Sequence, residues 1–199
     1  MNDFRSAVLQ APPLPAGPFR LIVADPPWRY SYSTRTSELD GTGWHGAQFK
    51  HYPTMTFAEI EALPVQSRAA SDCLCAIWVV NALLPKCLHV LSAWGFDYRG
   101  MVTWAKTDKR TGTRPFFGCG YWVRGATEHL VFGVRGKVKP ASRHEVSWFS
   151  AKVTKHSEKP PDPFALFARL AGDGPRIELF ARAPREGWVT WGNEGCLGS

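Results

Sequence analysis

The chain has 199 residues, 44% hydrophobic and 21% charged, a globular balance that excludes intrinsic disorder and suits one domain better than two. A formal net charge of +7 and a pI near 9.3 favour an anionic partner such as nucleic acid. The five cysteines include no Cys-x-x-Cys pair and the six histidines no metal-ligand spacing, so a zinc site or disulfide framework is not expected and a reducing cytosol is.

Residues 1–18 read as an irregular, Pro-rich lead-in, with no apolar run suited to a signal peptide or membrane span. Phe19 to Ala24 is a short apolar run that predicts a buried strand. It meets Asp25-Pro26-Pro27-Trp28, where two prolines cannot continue a sheet ladder, so Asp25 sits at the strand's end. From Arg29 to about Pro53 periodicity is lost, and a loop of that length is often functional. Thr54 to Leu63 predicts a helix, with Thr56 and Glu59 as a capping box. Leu74 to Val80 is a second strand, and Leu83 to Trp94 a helix that Gly95 ends. Tyr98 to Ala105 and Glu128 to Val134 are further strands, separated by a Gly-rich basic stretch with Lys106, Lys109, Arg110 and Arg114. Residues 135–158 read as irregular and basic. A short helix follows over Pro163 to Leu170, with Asp162 as its N-cap. Arg176 to Ala181 and Trp188 to Trp191 close the series as strands.

Strands alternating with helices predict an α/β fold around a mostly parallel central sheet, with helices on both faces. Ligands in such folds bind at the carboxyl ends of the strands, and Asp25 occupies one. The nine tryptophans suit core packing, or stacking platforms for bases.

The Asp-Pro-Pro-Trp corner suits one difficult reaction, methylation of an exocyclic amine whose lone pair is conjugated into an aromatic ring. Acceptors around the amine hydrogens favour a more tetrahedral nitrogen, and a preorganised carboxylate stabilises the positive charge that develops. Asp25 offers the carboxylate. Pro26 offers a rigid carbonyl with no competing backbone N–H nearby. Trp28 offers a flat face for stacking.

The chain resembles the DPPW-type N6-adenine methyltransferases, the MT-A-type family that includes the catalytic subunit of the eukaryotic mRNA adenosine methyltransferase. The likeness runs from Phe19 to Glu194. Its segments, in family order, are Ala24-Asp25-Pro26-Pro27-Trp28, Tyr52-Pro53-Thr54-Met55, Ala93-Trp94-Gly95-Phe96, Thr103-Trp104-Ala105-Lys106, Gly120-Tyr121-Trp122-Val123-Arg124 with Thr127-Glu128-His129, His156-Ser157-Glu158-Lys159-Pro160, Ile177-Glu178-Leu179-Phe180-Ala181-Arg182, and Trp191-Gly192-Asn193-Glu194.

The resemblance implies a Rossmann-like class I methyltransferase domain over residues 19–199, with an antiparallel edge to its sheet and S-adenosyl-L-methionine as cofactor. It implies Asp25, Pro26, Pro27 and Trp28 as catalytic residues. Lys159 would meet the cofactor's carboxylate end, and Asn193 and Glu194 its ribose and adenine. Glu178 and Arg182 would either complete the cofactor cleft or form a structural ion pair. Glu128 and Trp122 would serve the target base, as would Tyr30 or Tyr32 in the long loop, with the choice between the tyrosines open. The acid expected upstream of the first strand is missing from Ser6-Ala7-Val8-Leu9-Gln10, and Asp3 is the nearest, so recognition of the cofactor's adenine edge stays open.

The expected partner is nucleic acid, met as a single strand or with the adenine flipped out. Basic residues in the loops at 29–53, 106–120 and 135–158 would follow the phosphates. The compact length resembles bacterial or phage members and favours DNA over RNA. A homodimer or partner subunit is left open. The competing readings are a catalytically silent scaffold that binds nucleic acid, and the same chemistry on a small molecule or protein amide.

Overall fold

Seven strands build one sheet in the order β5-β3-β4-β2-β1-β6-β7. They are β1 (Phe19–Ala24), β2 (Ala69–Val79), β3 (Asp97–Thr107), β4 (Thr127–Arg135), β5 (Trp148–Lys152), β6 (Arg176–Leu179) and β7 (Val189–Trp191). This computed structural model describes residues 12–29, 54–118, 122–154 and 158–192. Every neighbouring pair is parallel except those made by β4, which runs antiparallel to both β2 and β3. The mostly parallel Rossmann-like sheet is as expected. The reversed strand, however, lies third from the border rather than at the edge. The chain between β3 and β4 forms no described helix that could carry it across the sheet, so it turns back and pairs antiparallel.

The central strands are apolar on both faces, as burial between two layers requires. Along β2, Cys73, Cys75, Ile77 and Val79 face one core cluster, and Leu74, Ala76 and Trp78 face the other. Helix α1 (Phe57–Glu61) and helix α2 (Leu84–Ala93) cover the first face through Ile60, Cys87, Val90 and Leu91. Helix α3 (Asp162–Ala171) covers the second through Phe164, Leu166 and Phe167. Burial pushes the Cys73 and Cys87 thiols up to about 12, so both sit in the core as inert apolar groups.

Local chemistry accounts for most boundaries. The Thr56–Glu59 capping box forms as the sequence predicts, with the Thr56 amide donating to Glu59 Oε2 at 2.7 Å, but α1 is only five residues long. Gly95, at φ +83°, ends α2 in a Schellman arrangement in which the Phe96 amide reaches back to the Leu91 carbonyl at 3.1 Å. Asp162 is not the N-cap of α3; that position is Pro161, and Asp162 opens the first turn, where its charge still complements the helix dipole. Strand β2 starts earlier than Leu74, in a polar, half-buried segment that apolar patterning cannot register. Strand β5 falls within the stretch read as irregular. It is an edge strand with alternating exposure, and only β3 pairs with it. Among the described residues, no helix is long and apolar enough to cross a membrane.

Candidate active site at the carboxyl edge of the sheet

The parallel strands β1, β2, β3 and β6 end on one edge of the sheet, and the reversed β4 begins there. That reversal brings Glu128, near the start of β4, to the same edge as Asp25 after β1 and Lys106 near the end of β3. Lys159, just before α3, reaches over the edge from the second face.

These side chains form a charged chain. Lys159 Nζ lies 2.9 Å from Asp25 Oδ2 and 3.4 Å from Glu128 Oε2. Lys106 Nζ lies 2.5 Å from Glu128 Oε1, and Arg182 Nη2 lies 4.0 Å from Asp25 Oδ2. The Lys159, Asp25, Glu128 and Lys106 side chains are only 12–18% exposed. Each lysine also stands over an indole, Lys159 at 5.5 Å from the Trp78 ring and Lys106 at 5.1 Å from Trp104. Burial opposes the charge on Lys159, yet Asp25 and Glu128 hold its pKa above the ordinary lysine value. Burial likewise opposes ionisation of Glu128, and the two lysines outweigh it and hold its pKa below the ordinary carboxyl value.

The Pro-Pro corner closes tightly. The Trp28 amide donates to the Pro26 carbonyl at 2.8 Å, making a γ-turn centred on Pro27. The expectation that Pro26 meets no competing backbone N–H is therefore corrected. One lone pair of the carbonyl is occupied and the second remains for another donor. The Pro27 carbonyl accepts from the Met55 amide at 2.9 Å, tying the corner to the segment before α1. Trp28 is a core residue rather than an open stacking face. Its ring is buried against Phe57, 5.8 Å between centroids, and its Nε1–H donates to the Trp78 carbonyl at 2.9 Å.

Strand β6 ends in strain. Phe180, a non-glycine at φ +63°, turns the chain out of the sheet immediately before Ala181 and Arg182. The turn returns Arg182 to the Asp25 carboxylate. Glu178 points elsewhere: it pairs with Arg185 at 2.8 Å, and the Arg185 guanidinium lies 3.5 Å from the Phe164 ring centroid. The structural pair of Glu178 is thus Arg185, not Arg182. Burial pushes the Glu178 carboxyl above its ordinary value, against the pull of Arg185.

The structure therefore brings together Asp25, Glu128, Lys159 and Arg182 of the residues expected from sequence. Glu178 stays beside the cluster, and Trp122, 91% exposed, stands outside it. Tyr30, Tyr32, Asn193 and Glu194 lie outside the described residues. Sequence reading missed Lys106 and Arg185 as members of ion pairs. Lys106 was legible in principle: it follows Trp104 by two positions and so shares its face of β3.

A cofactor bearing both a carboxylate and cationic groups fits this edge. Three cations face two carboxylates, leaving one positive charge to complement an acid, while both carboxylates stand ready for cations. The buried Trp78 Nε1–H has no hydrogen-bond partner, an open donor beneath Lys159. No group of histidine, cysteine or acidic residues among the described residues could hold a metal ion.

Comparison with known proteins gives this geometry its context. A type II methyltransferase of Mycoplasma sp., M.MunI, is 28% identical over 196 residues, covering 92% of this chain and 80% of that protein. The N(6)-adenosine-methyltransferase subunit METTL3 of Danio rerio is 28% identical over 186 residues, and its Homo sapiens counterpart, the catalytic subunit, 26%. Each of these two alignments covers 89% of this chain but only 28% of the longer eukaryotic protein. The MT-A70 family model matches residues 19–194, which include the Asp-Pro-Pro-Trp corner and every member of the charged chain, and the protein belongs to the MT-A70 family.

Proposed function

We propose that the protein transfers a methyl group from S-adenosyl-L-methionine to the N6 amine of adenine in nucleic acid, with DNA as the favoured substrate. The observation that carries this reading is the Asp25 carboxylate, fixed at the end of β1 beside a γ-turned Pro26 carbonyl. Both cations on Asp25 approach Oδ2. Oδ1 is thereby the oxygen left to accept one amine hydrogen, and the second lone pair of the Pro26 carbonyl can accept the other. Two such acceptors turn the nitrogen lone pair away from the ring, and the carboxylate stabilises the positive charge that grows on nitrogen.

When bound, S-adenosyl-L-methionine supplies an electrophilic methyl group. Lys159 and Arg182 would hold its acidic end and its ribose side, and Asp25 would face its cationic part. Asn193 and Glu194 join the cofactor site, and Tyr30 or Tyr32 the substrate site, on the family resemblance alone. Glu178 supports the cofactor cleft from behind through its pair with Arg185. Trp122, exposed before β4, suits contact with nucleic acid outside the reacting centre. We further propose a single catalytic domain over residues 19–199.

The DNA preference rests on the likeness to compact bacterial and phage members. Basic loop residues such as Lys109, Arg110, Arg114, Lys137, Lys139 and Arg143 would carry the phosphate contacts, so affinity should fall steeply with salt. The test is incubation with methyl-labelled S-adenosyl-L-methionine and single- and double-stranded DNA and RNA, followed by nucleoside analysis. N6-methyladenine, most abundant from DNA, is expected. Cofactor and nucleic-acid binding without any methylated base would overturn the reading and leave a silent scaffold.

A further inference from the structure

Lys106 lies next to the basic stretch 108–126, yet it does not behave as a surface lysine. Its side chain is 17% exposed, and its ammonium bonds Glu128 while standing over Trp104. Its backbone is pinned on both sides: its amide donates to the Ala126 carbonyl at 2.9 Å, and its carbonyl accepts from the Phe116 amide at 2.9 Å. The side chain therefore leaves from a fixed point on β3, whereas Lys159 leaves from a loop.

The two lysines take different oxygens of Glu128. Lys106 holds Oε1 at 2.5 Å, and Lys159 approaches Oε2 at 3.4 Å while bonding Asp25 more closely at 2.9 Å. Glu128 has one dedicated cation and one shared with Asp25. Trp78 and Trp104 meet edge to face at 6.2 Å and form the aromatic floor under both lysines.

We propose that Lys106 is a positioning residue that fixes the Glu128 carboxylate in its ionised form, so that Glu128 in turn steadies Lys159 against Asp25. This rests on the methyltransferase reading above. Lys106 touches neither substrate nor cofactor; it acts through Glu128. The charged groups facing Glu128 are Lys106 from β3, Lys159 from the loop before α3, and Asp25 and Arg182 beyond Lys159. His129, next along β4, points to the opposite face, where Nδ1 meets Thr103 Oγ1 at 3.0 Å and Nε2 meets Asn81 Oδ1. Without Lys106, a largely buried carboxylate keeps only its shared partner, and desolvation then favours protonation.

The experiment compares Lys106→Met, Lys106→Gln and Lys106→Arg with the wild-type protein in kcat/KM against pH and in thermal melting. The uncharged variants should lose roughly tenfold or more in kcat/KM near neutral pH, and the acid limb of the profile should move up by about one pH unit. The arginine variant should restore the limb. An uncharged variant that keeps the wild-type limb, whatever its melting temperature, overturns the proposal. A second readout needs no turnover: carbon-13 NMR titration of labelled glutamate carboxyls, with Glu128→Gln identifying the signal. An unmoved Glu128 titration in both uncharged variants overturns the proposal equally. If the wild-type protein makes no methyladenine, the function fails while this titration still tests the role of Lys106 on Glu128.

Discussion

Replacing Lys159 by methionine keeps most of the aliphatic stem and removes one ammonium from between two carboxylates. The lost contacts are 2.9 Å to Asp25 and 3.4 Å to Glu128, among side chains no more than 18% exposed. Removing one member of a buried ion pair costs about 3–5 kcal/mol, because the remaining charge stays desolvated and unpaired. Lys106 still holds Glu128, and Arg182 stands 4.0 Å from Asp25, so the lower end applies. A loss of about 3 kcal/mol near neutral pH is expected, and with it a fall of roughly 6–12 °C in Tm for a chain of this size. The pH dependence follows from both partners. Lys159 has a raised folded pKa, so its contribution is complete below the ordinary 10.5 and is lost as pH rises through the raised value. Glu128 has a lowered folded pKa, so its contribution is present above the ordinary 4.5 and is lost as pH falls through the lowered value. The gap between wild type and variant should be widest between about pH 5 and pH 10 and narrow at either end. Urea unfolding followed by tryptophan fluorescence across that range measures it. A loss under about 1 kcal/mol near neutral pH is what an exposed pair would give, and it would refute the buried-cluster reasoning.

Asp25→Ala should lower kcat by about a hundredfold or more, the usual scale for removing a preorganised charge-stabilising group, while cooperative melting persists; labelled-methyl transfer and calorimetry measure the two. Trp28→Ala should cost about 3–5 kcal/mol of stability through the cavity left in the core. Trp28→Phe should keep most of the packing and lose about 1 kcal/mol with the bond to the Trp78 carbonyl, and urea titration separates the two variants. The folded pKa of Glu178 is raised, so its effect on stability worsens as pH rises through that value. Glu178→Gln should therefore gain on the wild type as pH rises from about 4 to 8, read as the difference in Tm, and a constant difference would contradict the burial argument.

The sequence by itself determined most of the elements and the catalytic corner. Apolar runs of strand length mark β1 and the core of β2, and two prolines after Ala24 can only end a strand, so Asp25 was legible as an edge carboxylate. The Thr56–Glu59 box and Gly95 are local rules satisfied by neighbours in the chain, and they hold. Tertiary structure decided what depends on distant partners. Lys106, Glu128, Lys159 and Asp25 span 134 positions of chain, and only the reversal of β4 and the parallel register of β1 with β2 bring them to one edge. The partner of Glu178 depended on where the chain goes after the strained Phe180, and the burial of Trp28 on a segment and helix that begin beyond the long loop. Local sequence sets conformation within a few residues, whereas burial, charge pairing and the pKa shifts that follow arise from groups packed across the fold, which no spacing along the chain encodes.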